Sequence, residues 1–115
     1  MRLKEMLEKQ KKFADNFYNS EEMSEAEKVE KHKILCLAMH SEISQLADSV
    51  HYRDHRTEIT QTHRQNILFE TMDVYRYCLS ILNLWGFDEI KAEAAFDREI
   101  ALNKKVNPNS ISGKA

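Results

Sequence analysis

The feature that most constrains the fold of this 115-residue chain is its shortage of residues that break helices. It contains two glycines and one proline, and all three (Gly86, Pro108 and Gly113) lie in the last third of the sequence. Glycine and proline are the residues that most often end helices and form tight turns. A sheet-rich fold needs many such turns, so we predict an all-α fold of long, uninterrupted helices.

Apolar residues at helical spacing predict four helices. Their approximate ranges are residues 3–18, 24–52, 64–85 and 89–105. Ser24 and Glu27 form a capping-box pattern at the start of the second helix. Gly86 suits the left-handed end of the third helix, and Asp88 is a suitable cap for the fourth. The polar stretch between the second and third helices, residues 53–62, is predicted to be a loop.

A chain of this length can build one core, so we expect a single domain over residues 1–108 and a disordered tail over 109–115. The predicted architecture has a four-helix bundle-like core, with Ile90, Ala94 and Ile100 of the fourth helix facing inward. The short chain and the exposed first helix favour completion of this core by dimerisation. We therefore expect a homodimer or a higher homo-oligomer.

Composition argues against several classes of partner. The formal net charge is −2, so no global field attracts nucleic acid or a membrane. The N-terminus lacks an apolar export segment, and no stretch approaches the length of a membrane span, so we expect a cytoplasmic protein. Cys36 and Cys78 have no zinc-like spacing, and both are predicted to be buried free thiols.

Two pairs of polar residues interrupt apolar stripes. Glu42 and Gln45 are three residues apart in the second helix, and Glu70 and Asp73 are three apart in the third. A carboxylate that points into a core costs several kcal/mol unless it is paired, protonated or bound to a metal. These pairs therefore suggest Mg²⁺ or Mn²⁺ between the two helices. Spacing alone leaves open the alternative that they are solvated helix charges.

The motifs around these pairs resemble those of the all-α nucleoside triphosphate pyrophosphohydrolases, which include the MazG-like enzymes and, closest in layout, the dimeric dUTPases. That family has ExxE on one helix and ExxD on the next. The resemblance rests on residues 42–49, 52–56 and 66–73, and the similarity extends over about Leu3 to Pro108. It implies Mg²⁺-dependent hydrolysis of a nucleoside triphosphate to the monophosphate and pyrophosphate, with dUTP as the substrate that the layout favours.

By that resemblance, Glu42, Gln45, Glu70 and Asp73 would be the catalytic and metal-binding residues. Gln45 departs from the family pattern, because it offers a neutral carbonyl oxygen where the family has a carboxylate. This departure keeps open a second function, a nucleotide-binding or regulatory helical dimer with lost or weak catalysis. A helical dimer that binds no ligand is a third alternative.

The resemblance also implies residues for the rest of the nucleotide. Phosphate binding would involve Arg53, Arg56, Asn103 and Lys105, and base binding would involve Gln10 and Asn16. Arg53 and Arg56 follow the second helix, where guanidinium groups could grip triphosphate oxygens in pairs. Basic residues at this position are also favoured by the helix dipole alone, so the assignment is not unique.

Overall fold

The computed structural model describes residues 1–50 and 58–106, with side chains as far as Lys104. It confirms the all-α prediction. The four helices are α1 (Leu3–Ala14), α2 (Glu25–Asp48), α3 (Gln61–Leu84) and α4 (Glu89–Val106). A single 3-10 turn, Ser20–Glu22, lies between α1 and α2, and no strand occurs in the described part of the chain.

The predicted helix ends are confirmed where a cap marks them. Ser24 Oγ accepts a hydrogen bond from Glu27 N at 3.2 Å, and Glu27 Oε1 accepts one from Ser24 N at 2.8 Å. These two bonds form the predicted capping box. Gly86 has φ 73°, the left-handed conformation that ends α3. Asp88 Oδ1 accepts from Lys91 N at 3.0 Å and caps α4.

Other boundaries differ from the prediction. The first helix ends at Ala14 rather than near residue 18, and α2 ends at Asp48. The third helix begins at Gln61, inside the predicted loop, because Thr60 and His63 cap it reciprocally. Thr60 Oγ1 accepts from His63 N at 3.2 Å, and His63 Nδ1 accepts from Thr60 N at 3.1 Å. A histidine in place of the usual Glu or Gln conceals this capping box in the sequence.

Helices α2 and α3, each of 24 residues, form the main packed pair, and α1 lies against α3. The buried apolar side chains are Leu7, Ala14, Leu35, Leu79 and Leu84. Two hydrogen bonds between elements add to this packing. Asn83 Nδ2 donates to the carbonyl of Leu7 at 2.9 Å, and Trp85 Nε1 donates to His32 Nδ1 at 3.0 Å.

The fourth helix leaves its apolar side chains uncovered. Ile90 is 70% exposed and Ile100 49%, and Ala94 is also exposed, so the prediction that they face inward is wrong for a single chain. The reason is that α4 makes only slight contact with α1, and an open cavity is lined by residues of both α3 and α4.

Two further sequence predictions concern the cysteines and membrane spans. Both cysteines are free, but Cys78 is exposed rather than buried, and Cys36 is half-buried. Cys78 lines a largely apolar cavity whose walls come mainly from α3 and α4. None of the helices in the described ranges is both long and apolar enough to cross a membrane.

Candidate metal centre

The packing of α2 against α3 brings three carboxylates together. Glu42 lies in the second half of α2, and Glu70 and Asp73 lie one turn apart in α3. One oxygen from each of the three side chains lies within 4.8 Å of the others. All three side chains are partly exposed, so a ligand can reach the cluster from solvent.

The oxygens of this cluster fit a hard divalent cation. Glu42 Oε2 and Glu70 Oε2 are buried, and neither has a hydrogen-bond partner among the described residues. A buried polar group without a partner costs about 1–3 kcal/mol, and more if it is charged. An oxygen-only donor set suits Mg²⁺ or Mn²⁺ rather than zinc, and such ions keep open positions for water or phosphate oxygens. The residues present therefore match the group that the sequence predicted.

The electrostatics of the cluster point in the same direction. Burial raises the pKa of Glu42 above its ordinary value of 4.5, and the negative charges of Asp73 and Glu70 raise the pKa further. Without a cation, each of these charges disfavours ionisation of the Glu42 carboxyl. A bound divalent cation would reverse that effect, because it attracts all three carboxylates.

Two cavities lie on either side of the cluster. The first, of about 270 Å³, is lined by Gln10, Phe13, Glu42, Asp73, Arg76 and Tyr77. The second, of about 330 Å³, is lined by Gln45, Asp48, Ser49, Asn66 and Glu70. The first has two aromatic walls and one basic wall besides Gln10 and two of the carboxylates, whereas the described walls of the second are polar or acidic and contain no aromatic residue. The carboxylates thus stand between a cavity suited to a ring and a polar cavity.

The structure places the predicted phosphate-binding residues unevenly. Gln45 is exposed and lines the second cavity together with Glu70. Asn103 is exposed near the end of α4 and is not among the described walls of either cavity. Arg53 and Arg56, and the side chain of Lys105, lie outside the described residues.

The two predicted base-binding residues differ in position. Gln10 lines the first cavity, beside Glu42 and Asp73. Asn16 is exposed beyond the C-terminal end of α1, and it is not one of the residues described for that cavity. Of the two, the geometry brings only Gln10 to the carboxylates.

Three residues of the first cavity are not among the predicted site residues. Arg76 and Tyr77 follow Asp73 by three and four residues, and Phe13 follows Gln10 by three. Such spacings place side chains on the same helical face. Scanning one turn beyond each predicted site residue would therefore have found all three.

Comparison with known proteins identifies the family. A family model described as dUTPase matches residues 2–112. Because the match covers nearly the whole sequence, the chain belongs to the dUTPase family, and the predicted resemblance is confirmed. No curated protein and no solved structure matches the chain. Family membership implies a nucleotide hydrolase.

Proposed function

We propose that this member of the dUTPase family is a Mg²⁺-dependent pyrophosphohydrolase. It would convert a deoxynucleoside triphosphate, with dUTP as the first candidate, to the monophosphate and pyrophosphate. The observation that supports this proposal is the cluster of three carboxylates within 4.8 Å, two of which have a buried oxygen without a hydrogen-bond partner in the described part of the chain. Such a cluster is costly unless a cation satisfies it.

In this proposal, Glu42, Glu70 and Asp73 hold Mg²⁺, and Mn²⁺ could replace it. When bound, the cation polarises phosphate oxygens and makes a neighbouring water more acidic. Gln45 has a different part, because its side chain is neutral and lines the second cavity beside Glu70. Its amide oxygen can accept a hydrogen bond from the attacking water and orient that water toward the phosphorus.

The two cavities suggest how the nucleotide lies across the cluster. The base would occupy the first cavity, where Phe13 and Tyr77 offer aromatic faces. The triphosphate would then extend past the carboxylates into the second cavity. Arg53 lies four residues beyond Ser49, which lines that cavity, so at most about 14 Å of chain separates them. Arg53 and Arg56 are therefore proposed phosphate ligands, and Asn103 and Lys105 are further candidates.

We also propose that the chain acts as a homodimer or a higher homo-oligomer. Large apolar side chains remain exposed on α4, including Phe96 at 68% and Ile90 at 70%. Light scattering after size exclusion tests this proposal, and a monomeric mass at micromolar concentration would contradict it.

Pyrophosphate release from a panel of NTPs and dNTPs, with and without Mg²⁺, tests the catalytic proposal. Glu70→Ala removes one carboxylate of the cluster and is expected to abolish both release and Mg²⁺ binding. Glu93→Ala is the matched control, because Glu93 is an exposed glutamate on α4. If Glu70→Ala left hydrolysis and Mg²⁺ binding unchanged, the proposal would be wrong.

A second candidate function is a nucleotide-binding or regulatory dimer with weak catalysis. Gln45 favours it, because a neutral residue beside Glu70 leaves the site with one negative charge fewer than the family pattern has. Gln45→Glu restores that charge. A large gain in turnover from a nearly silent parent would support the second candidate, whereas a fully active parent would refute it.

A further inference from the structure

Gln10 is held by hydrogen bonds at both ends of its amide. Its Oε1 accepts from Arg76 Nε at 2.8 Å, and its Nε2 donates to Ser80 Oγ at 2.9 Å. Arginine can only donate, so the oxygen of the amide must face Arg76. Ser80 is only 4% exposed, which anchors the other end in the packed interface between α1 and α3. Gln10 therefore holds Arg76 in place more than it offers a free edge to a ligand.

Arg76 is the charged donor in this cavity, beside the second amide N–H of Gln10 and the Tyr77 hydroxyl. A guanidinium group has five N–H bonds, and the bond at Nε points to Gln10. The other four belong to the two terminal nitrogens. The guanidinium carbon lies 4.7 Å from the centre of the Phe13 ring, so a second contact also restrains the side chain. Arg76 thus presents fixed donors, and no acceptor, beside Glu42 and Asp73.

We propose that Arg76 determines the base specificity of this site, by donating hydrogen bonds to a carbonyl oxygen of the base. This inference rests on the proposed function, because it assumes that the first cavity holds the base. A base with a carbonyl oxygen facing Arg76, such as uracil at O4, is accepted. Cytosine carries an amino group at that position, so two donors would face each other and stay unpaired.

A base suits this cavity better than a phosphate does. Tyr77 provides a ring on which a planar base can stack, and Phe13, one face of which is covered by the Arg76 guanidinium, adds an apolar wall. The described walls of the second cavity contain no aromatic residue and are polar or acidic. The two ends of a nucleotide are therefore matched by two chemically different cavities.

The test compares two nucleotides that differ at this edge of the base. Binding of dUMP and dCMP is measured by calorimetry, and kcat/KM is measured for dUTP and dCTP, both with Mg²⁺. The proteins are wild type, Arg76→Met, Arg76→Lys and the control Arg98→Met. Arg98 is a suitable control because it is exposed on α4 and is not among the described lining residues of either cavity. Circular dichroism shows whether each variant is folded.

We expect wild type and Arg98→Met to prefer the uracil nucleotide. Arg76→Met should lower that preference by about 10- to 150-fold, the range for a lost hydrogen bond to a charged group. Arg76→Lys keeps a charged donor but not the planar fork, so it should retain part of the preference. If Arg76 had a purely structural role, its substitution would weaken the binding of both nucleotides equally and leave the ratio of the two affinities unchanged.

Two results would overturn the inference: a wild type without preference for dUMP over dCMP, and an unchanged ratio in a folded Arg76→Met. An equal loss of affinity for both nucleotides is a case of the second result, and it would assign Arg76 a structural or phosphate-binding role instead. Failure of the proposed function gives a different result, the absence of pyrophosphate release from every nucleotide. The binding measurements need no turnover, so they decide the role of Arg76 in either case.

Discussion

Glu42→Gln should stabilise the metal-free protein and remove its response to Mg²⁺. The Glu42 carboxylate faces Glu70 and Asp73, with oxygens within 4.8 Å of one another. At that separation two unit charges repel by about 3.5 kcal/mol at an effective dielectric of 20, and by about 0.9 kcal/mol in bulk water. These side chains are partly exposed, so the lower value is the better guide for each pair. Removing two such pairs should stabilise the fold by roughly 1–2 kcal/mol.

Thermal unfolding in EDTA and in excess Mg²⁺ measures both effects. In EDTA the melting temperature of Glu42→Gln should rise by several degrees, because about 1 kcal/mol corresponds to roughly 4–8 °C in domains slightly smaller than this one. Wild type should gain about 2.7 kcal/mol at a Mg²⁺ concentration one hundred times its Kd. The variant lacks one ligand and should lose most of that gain.

Glu93→Gln is the matched control, because it makes the same chemical change at an exposed position of α4. It should leave both the metal-free stability and the Mg²⁺ response unchanged. A fall in the metal-free melting temperature of Glu42→Gln would show that the carboxylates do not repel one another as the geometry requires. A full Mg²⁺ response in that variant would show that the cation binds elsewhere.

Three further predictions concern pH and helix ends. Because the folded-state pKa of Glu42 is raised, its negative charge destabilises the fold above that pKa, and this destabilisation disappears as the pH falls through it. Melting in EDTA should therefore show that wild type gains stability relative to Glu42→Gln as the pH is lowered from neutral toward 4.5. Equal pH dependence of the two proteins would contradict this prediction. Gly86→Ala should lower the free energy of unfolding in urea by about 1–2 kcal/mol, because the left-handed conformation is strained for alanine. The φ of Gly86 is 73°, and an added Cβ would meet nothing within 4 Å, so the cost is conformational rather than steric. An unchanged free energy of unfolding would refute this reasoning. Ser24→Ala should cost about 1 kcal/mol through loss of the capping box, whereas Ser24→Asp, which can still cap, should cost less.

The sequence predicted helix ends correctly where the residues that cap or terminate the helix lie within a single turn. The Ser24 capping box and the Gly86 terminator depend on residues three or fewer positions apart, and both were found from the sequence. The start of α3 was missed because His63 occupies the position where Glu or Gln usually completes the box. Side-chain exposure on α4 was mispredicted, because periodicity shows that a helix has an apolar face but not which element covers it.

In the candidate site too, local features were predicted from the sequence and long-range contacts were not. The i, i+3 spacing of Glu70 and Asp73 and the interrupted apolar stripes were visible in the sequence, and they predicted that acidic groups on two helices would meet. The part played by Gln10 was not visible, because its two hydrogen-bond partners lie 66 and 70 residues away along the chain. Contacts over such distances depend on how α1 packs against α3.

The sequence by itself determined the all-α class, because helix breakers are scarce, and it determined which residues carry carboxylates at helical spacing. Those properties are local, since they depend on residues within one or two turns. Only the tertiary structure decided that Glu42 meets Glu70 and Asp73 within 4.8 Å, and that Arg76 stands beside them over Phe13. The positions of side chains on different helices depend on how α1, α2 and α3 cross and rotate against one another, which the packing of the whole core sets.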